Sequence, residues 1–182
     1  MTLPSLEVLL VVGIIAFYVQ DAMLLLYHDE IVFERRGREW RAAAPGPQWS
    51  GRFLFVPSLL APWRPLLRAN APAAAVDAAT LQPMLKALRP LQAGVAVLGV
   101  LLLLGVPALL WRYPHPLALL ALVVAIYATT LLLAVPIWRS RATFGMERSA
   151  AAWLAFESVA CPPHAINLVR KLSLRQPLPV PA

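Results

Sequence analysis

Three apolar runs dominate the chain: Leu6–Tyr27, Leu91–Trp111 and Leu117–Trp138. The first is about 22 residues, roughly 33 Å as a helix, which is enough to cross a hydrocarbon core of about 30 Å. Only Arg112-Tyr113-Pro114-His115-Pro116 separates the second run from the third, so those two form a tight antiparallel hairpin. The pattern predicts an all-α membrane protein with three transmembrane helices, a small cytoplasmic β-meander inserted between helices 1 and 2, and amphipathic helices in a cytoplasmic tail. The divisions fall at 1–27 (first helix, N-terminus outside), 28–90 (inner loop), 91–138 (hairpin) and 139–182 (tail).

The polar stretches carry weaker periodicities. Glu30–Glu34 and Arg38–Arg41 read as strands around Arg35-Arg36-Gly37. A two-residue turn at Arg36-Gly37 sets Phe33 opposite Trp40 and Glu34 opposite Glu39. A three-residue turn with Gly37 left-handed sets Glu34 opposite Arg38, and is preferred because it avoids opposed like charges. Arg52–Val56 supplies the third strand of the meander. Three such strands enclose little core, so their apolar side requires the bilayer, the spans or a partner. Trp40, Phe55, Trp63 and Arg64 are the contact candidates, with the Leu59–Arg68 stretch suited to the headgroup region. Residues 69–79 read as a linker, and Thr80–Arg89 as an amphipathic lead-in to the second span.

Charge orients the picture. No Lys or Arg precedes the first run, nine lie in residues 28–90, the outer link has Arg112, and six follow from Arg139. This asymmetry puts the N-terminus outside and the C-terminus in the cytosol. Composition agrees: 60% of the chain is hydrophobic and 14% charged, with a formal net charge of +7. Basic residues flanking the spans point to anionic lipid headgroups on the cytoplasmic side, and no motif points to nucleic acid. A bacterial inner membrane is the expected location. The first run carries Glu7 and outlasts a signal-peptide core, so it reads as a retained anchor. Cys161 is the single cysteine, which excludes an intrachain disulfide.

Candidate chemistry is sparse. Gly13, Ala16 and Gln20 fall at i, i+3 and i+7 on one face of the first helix, with Asp21 at its border and His28 one heptad beyond Asp21. Small residues there admit a partner backbone, and polar groups in a span face protein rather than lipid. Asp21 pairs with a loop Arg or with His28, moves protons or ions, or contacts a partner helix. In the second run, Pro107 predicts a kink, beside Gly99 and Gly105. In the third, Ala118, Ala121, Ala125 and Ala128 predict a close-packing seam, while Thr129 and Thr130 bond to their own helix. His28-Asp29-Glu30 reads as a charged collar. In the tail, one helix covers Ala142–Ala160 with Trp153, Phe156 and Val159. After Cys161-Pro162-Pro163-His164 a second, basic helix lies on the inner surface, offering Arg170 and Lys171 to phosphates. Cys161 and His164 supply half a metal site at most, so no metal or cofactor is expected.

No phosphate loop, zinc-protease helix, nucleophile elbow or nucleotide fingerprint occurs. The leading expectation is a non-catalytic subunit or adaptor of a larger membrane assembly. The alternative is a proton- or ion-coupled transport or motor component using Asp21. Ala128-Thr129-Thr130 and Ala134-Val135-Pro136, with an outer N-terminus, a sizeable inner loop and a terminal hairpin, make the architecture similar to stator-type motor subunits. The five-residue outer link and strand-like inner segment depart from that group. A third class is a small enzyme using His28, Asp29, Glu30 or Cys161 and His164 at the cytoplasmic interface.

Overall fold

A computed structural model describes residues 5–26, 31–36, 39–44, 60–69, 78–112 and 115–175. Helix α1 (Leu6–Leu26) is followed by strands β1 (Ile31–Arg36), β2 (Glu39–Ala44) and β3 (Leu66–Ala69). Helix α2 (Ala78–Val100) runs through a π-helical segment, Leu101–Gly105, into α3 (Val106–Arg112). Helix α4 (Pro116–Ser140) returns, and α5 (Arg148–Ala160), α6 (Pro162–Ala165) and α7 (Leu168–Ser173) complete the tail. Three helical stretches are long and apolar enough to cross a membrane: Leu6–Leu25, Leu81–Arg112 and Pro116–Ser140.

The second of these begins earlier than expected. The Thr80–Arg89 lead-in and the apolar run form one continuous helical stretch. A single buried stripe explains it: Leu81, Met84, Leu88, Leu91, Val95, Leu98, Leu102 and Val106 recur every three or four residues straight across Pro90. The disturbance expected at Pro107 takes the form of the π segment. Val106 donates to the Leu101 carbonyl, five residues back, just before the residue that has no N–H and whose ring crowds the preceding turn.

The antiparallel contact between α2 and α4 uses glycine against leucine. A Cβ added at Gly94 would lie 2.5 Å from Leu133 Cδ2, and one at Gly105 would lie 3.3 Å from Leu122 Cδ1. On α4 the buried stripe is Leu122, Ile126, Thr130, Leu133 and Ile137. The expected alanine seam is therefore not the packed face: Ala121 and Ala128 are exposed, and Ala118 and Ala125 are half-buried. Bulky side chains fill the gaps that the α2 glycines leave, so α4 needs no small residues there. Thr129 and Thr130 donate to the Ala125 and Tyr127 carbonyls at 2.7 and 2.9 Å, as the sequence implied.

Among the described residues the β-meander is not found. The described strands lie in the order β2-β1-β3, whereas a meander would have its second strand in the centre. The third strand is Leu66–Ala69, antiparallel to β1 with Phe33 opposite Leu67. The proposed strand Arg52–Val56, including Phe55, lies outside the described residues. Leu66 and Leu67 are buried where a headgroup-facing stretch was expected. The hairpin register also differs from both options: Glu34 pairs with Arg41, Arg35 with Trp40 and Arg36 with Glu39. Two residues, Gly37 and Arg38, separate the last pair. This register sets opposite charges across from each other at two positions, which cross-strand electrostatics favours.

Candidate functional site

The tail folds back onto the long helices. At the end of α4 the Met146 N–H donates to the Arg141 carbonyl at 2.8 Å and the Gly145 N–H to the Ala142 carbonyl at 3.1 Å. Gly145 has φ +60°, a conformation glycine adopts without steric cost, and the pattern is a Schellman reversal. Helix α5 then packs along α4. It ends where the Cys161 N–H closes onto the Glu157 carbonyl, and Pro162-Pro163 start α6 in a new direction. Helix α6 touches α1, α2 and α4, and α7 packs against α2 and β3.

This route assembles a polar junction around Asp21. The Lys171 ammonium sits 3.2 Å from Asp21 Oδ1 and 2.8 Å from Glu157 Oε1. Asn167 Nδ2 donates to Asp21 Oδ2 at 3.0 Å and faces the Tyr18 carbonyl at 3.2 Å. Arg170 is fully buried. Its Nη1 donates to Asn167 Oδ1 at 3.1 Å and its Nη2 to the Ala61 carbonyl at 3.2 Å. The Ser173 hydroxyl accepts the Leu66 N–H at 2.9 Å, tying β3 to the tail. His164 Nδ1 lies 3.5 Å from Glu157 Oε1, and its ring meets the edge of Phe17 at 6.0 Å between centroids.

Two carboxylates, Asp21 and Glu157, thus share the Lys171 ammonium, with an imidazole beside them and Arg170 joined to the group through Asn167. A sheltered cluster of balanced charge is the form in which ionisable groups persist away from water. It ties the tail to α1 and to the 60–67 segment.

Arg170 and Lys171 were expected to face lipid phosphates. Instead they turn inward: Lys171 meets Asp21 and Glu157, and Arg170 meets Asn167 and the Ala61 carbonyl. Asp21 pairs with Lys171 and Asn167 of the tail; His28, Asp29 and Glu30 lie outside the described residues. Gln20 and Ala16 are exposed, and a Cβ added at Gly13 meets nothing within 4 Å. Trp40 sits on β2, opposite Arg35 in the register. Trp63 is 40% exposed, and its carbonyl accepts from Gln92 Nε2 at 3.1 Å. Arg64 is half-buried. Cys161 is half-buried at the Pro162-Pro163 turn. Among the described residues no three His, Cys, Asp or Glu side chains group together in a way that could hold a metal ion.

Glu157, Asn167 and Ser173 were not singled out from the sequence. Glu157 is the lone acid in the apolar α5, and Asn167 interrupts Ile166 and Leu168; those breaks were the available signals. No family model, no curated protein and no solved structure matches this chain.

Proposed function

We propose that the chain is a non-catalytic integral subunit or adaptor of a larger inner-membrane assembly, with its N-terminus outside and its C-terminus cytosolic. The observation carrying this is Gln20. On α1 the packed face runs through Val11, Tyr18 and Ala22. Gly13, Ala16 and Gln20 lie about half a turn away, on the opposite side. A primary amide turned toward acyl chains leaves donors and acceptors without partners, a cost that a neighbouring helix relieves. Gly13 leaves a notch beside it into which another backbone fits. Ala121 and Ala128 form a second outward-facing small stretch on α4.

The orientation rests on the distribution of cations, with exposed Lys86, Arg89, Arg139, Arg148 and Arg175 available to anionic headgroups at one end of the helices. The test is purification in a mild detergent. Co-purification with larger membrane subunits, lost on Gln20→Leu without loss of the chain itself, is the expected result. A monodisperse monomer that alone rescues a deletion strain overturns the reading.

A second reading, a proton- or ion-coupled component, is favoured by the meeting of Asp21, Glu157, His164 and Lys171. Asp21→Asn separates the two. Function retained at normal expression ends the coupling version and leaves the adaptor version standing.

A further inference from the structure

We propose that residues 141–175 form a re-entrant hairpin whose tip lies at mid-bilayer depth and whose α5 face, marked by Trp153 and Phe156, contacts lipid acyl chains.

The depth follows from packing. Gly94 faces Leu133 and Gly105 faces Leu122, so Gly99 lies roughly level with Ala128, midway along Pro116–Ser140. A Cβ added at Gly99 would meet Ile166 Cγ2 at 3.9 Å, which puts Ile166 at that level. Ser140 is about 18 Å away along α4 at ~1.5 Å per residue, and the 13 residues of α5 span about 20 Å. The two lengths match, as they must if α5 climbs alongside α4. The first helix gives the same answer. Phe17, whose ring meets His164, stands near the middle of the 21-residue α1, about 14 Å from Leu26.

The two limbs are built for different surroundings. The returning limb is enclosed: Ala165, Ile166, Asn167, Leu168, Val169 and Arg170 are all buried. The entering limb is not. Trp153 and Phe156 are 67% and 60% exposed, with ring centroids 5.6 Å apart. The helix packs along α4, where Leu131, Leu132 and Val135 are likewise exposed. Packing against a helix long and apolar enough to cross a membrane assigns acyl chains as the occupant.

The N–H groups of the tip meet the requirement hydrocarbon imposes on a turn, that donors be satisfied internally. Pro162 and Pro163 have no N–H to satisfy. The N–H groups of Cys161, His164, Ile166 and Asn167 donate to the carbonyls of Glu157, Cys161, Pro163 and His164 at 2.9 to 3.3 Å. Ser158 donates its hydroxyl to the Leu154 carbonyl at 2.8 Å, so it too is satisfied within the helix.

The experiment is a depth scan of α5 in the full chain, reconstituted into phosphatidylcholine–phosphatidylglycerol vesicles. Nitroxide labels go singly at Ser149, Ala152, Trp153, Phe156 and Ala160, all exposed positions, in a Cys161→Ala background. Accessibility to oxygen is compared with that to a water-soluble nickel complex. The expected result is a depth that increases monotonically from 149 to 160, by about 16 Å in total. A depth that oscillates with the helical period at constant mean, as for a helix lying in the interface, overturns the proposal. So does nickel access at 156 and 160 equal to that at 149.

Discussion

Two faces of the same short bundle treat the same residue types in opposite ways. Asp21 and Gln20 are neighbours on α1, yet Asp21 meets Lys171 and Asn167 while Gln20 points away from every packed helix. Gly94 and Gly13 repeat the contrast. The space over Gly94 is filled by Leu133, and the space over Gly13 is empty to 4 Å. On the inward face Asp21, Asn167 and Lys171, and the gap over Gly94, have their complements within the chain. On the outward face Gln20 is exposed and Gly13 opens onto empty space, the contrast on which the proposed partner contact rests.

The inward face is broken most severely at Lys171. Lys171→Met leaves Asp21 and Glu157 without their shared cation, and removing one partner of a sheltered ion pair costs about 3–5 kcal/mol. Denaturant unfolding in micelles is expected to show that loss. The triple variant Asp21→Asn, Glu157→Gln, Lys171→Met, which removes the charge with its opposites, is expected to recover most of it. Equal instability of single and triple variants would mean that packing, not charge pairing, dominates the junction.

Gly94→Val is next. Leu133 is buried, so its methyl groups have little room to retreat from the new side chain. Overpacking of this kind costs about 1–3 kcal/mol. A compensating Leu133→Ala in the same chain is expected to restore part of the midpoint, since it returns the volume taken up at 94. Additive losses would mean that the two positions do not share a contact.

The three spans and their antiparallel hairpin were legible in the sequence because lipid as solvent imposes a composition over some twenty consecutive residues. The threonine back-bonds were legible because they are local. The junction was not. Asp21 and Asn167 are 146 positions apart, and no spacing rule links them. Arg170 and Lys171 misled for a physical reason: basic residues on a helix with an apolar face have the same pattern whether the cations meet phosphates or acceptors within the fold. The strand order was hidden likewise. β3 is a four-residue segment, and Leu-Leu-Arg-Ala at 66–69 has no alternation strong enough to mark it.

The outward face is tested by substitutions that leave the isolated chain nearly unchanged. Gly13→Ala introduces a methyl group into open space, and in a helix it removes the conformational cost of glycine, about 0.5–1 kcal/mol. Gln20→Leu exchanges an exposed amide for a side chain that lipid accepts. Neither is expected to lower the unfolding midpoint of the purified chain, and both are expected to raise it slightly. In native membranes the expected direction reverses. An added methyl group at 13 holds a partner helix off, and losing the Gln20 amide removes its hydrogen bonds, so crosslinking from α1 to a neighbour falls while the chain remains folded. The sign of the change, opposite in the isolated chain and in the membrane, identifies a face built for a second protein. If crosslinking is unchanged in both variants, Gly13 and Gln20 face lipid in the working state, and the contrast between the two sides of α1 is one of packing alone.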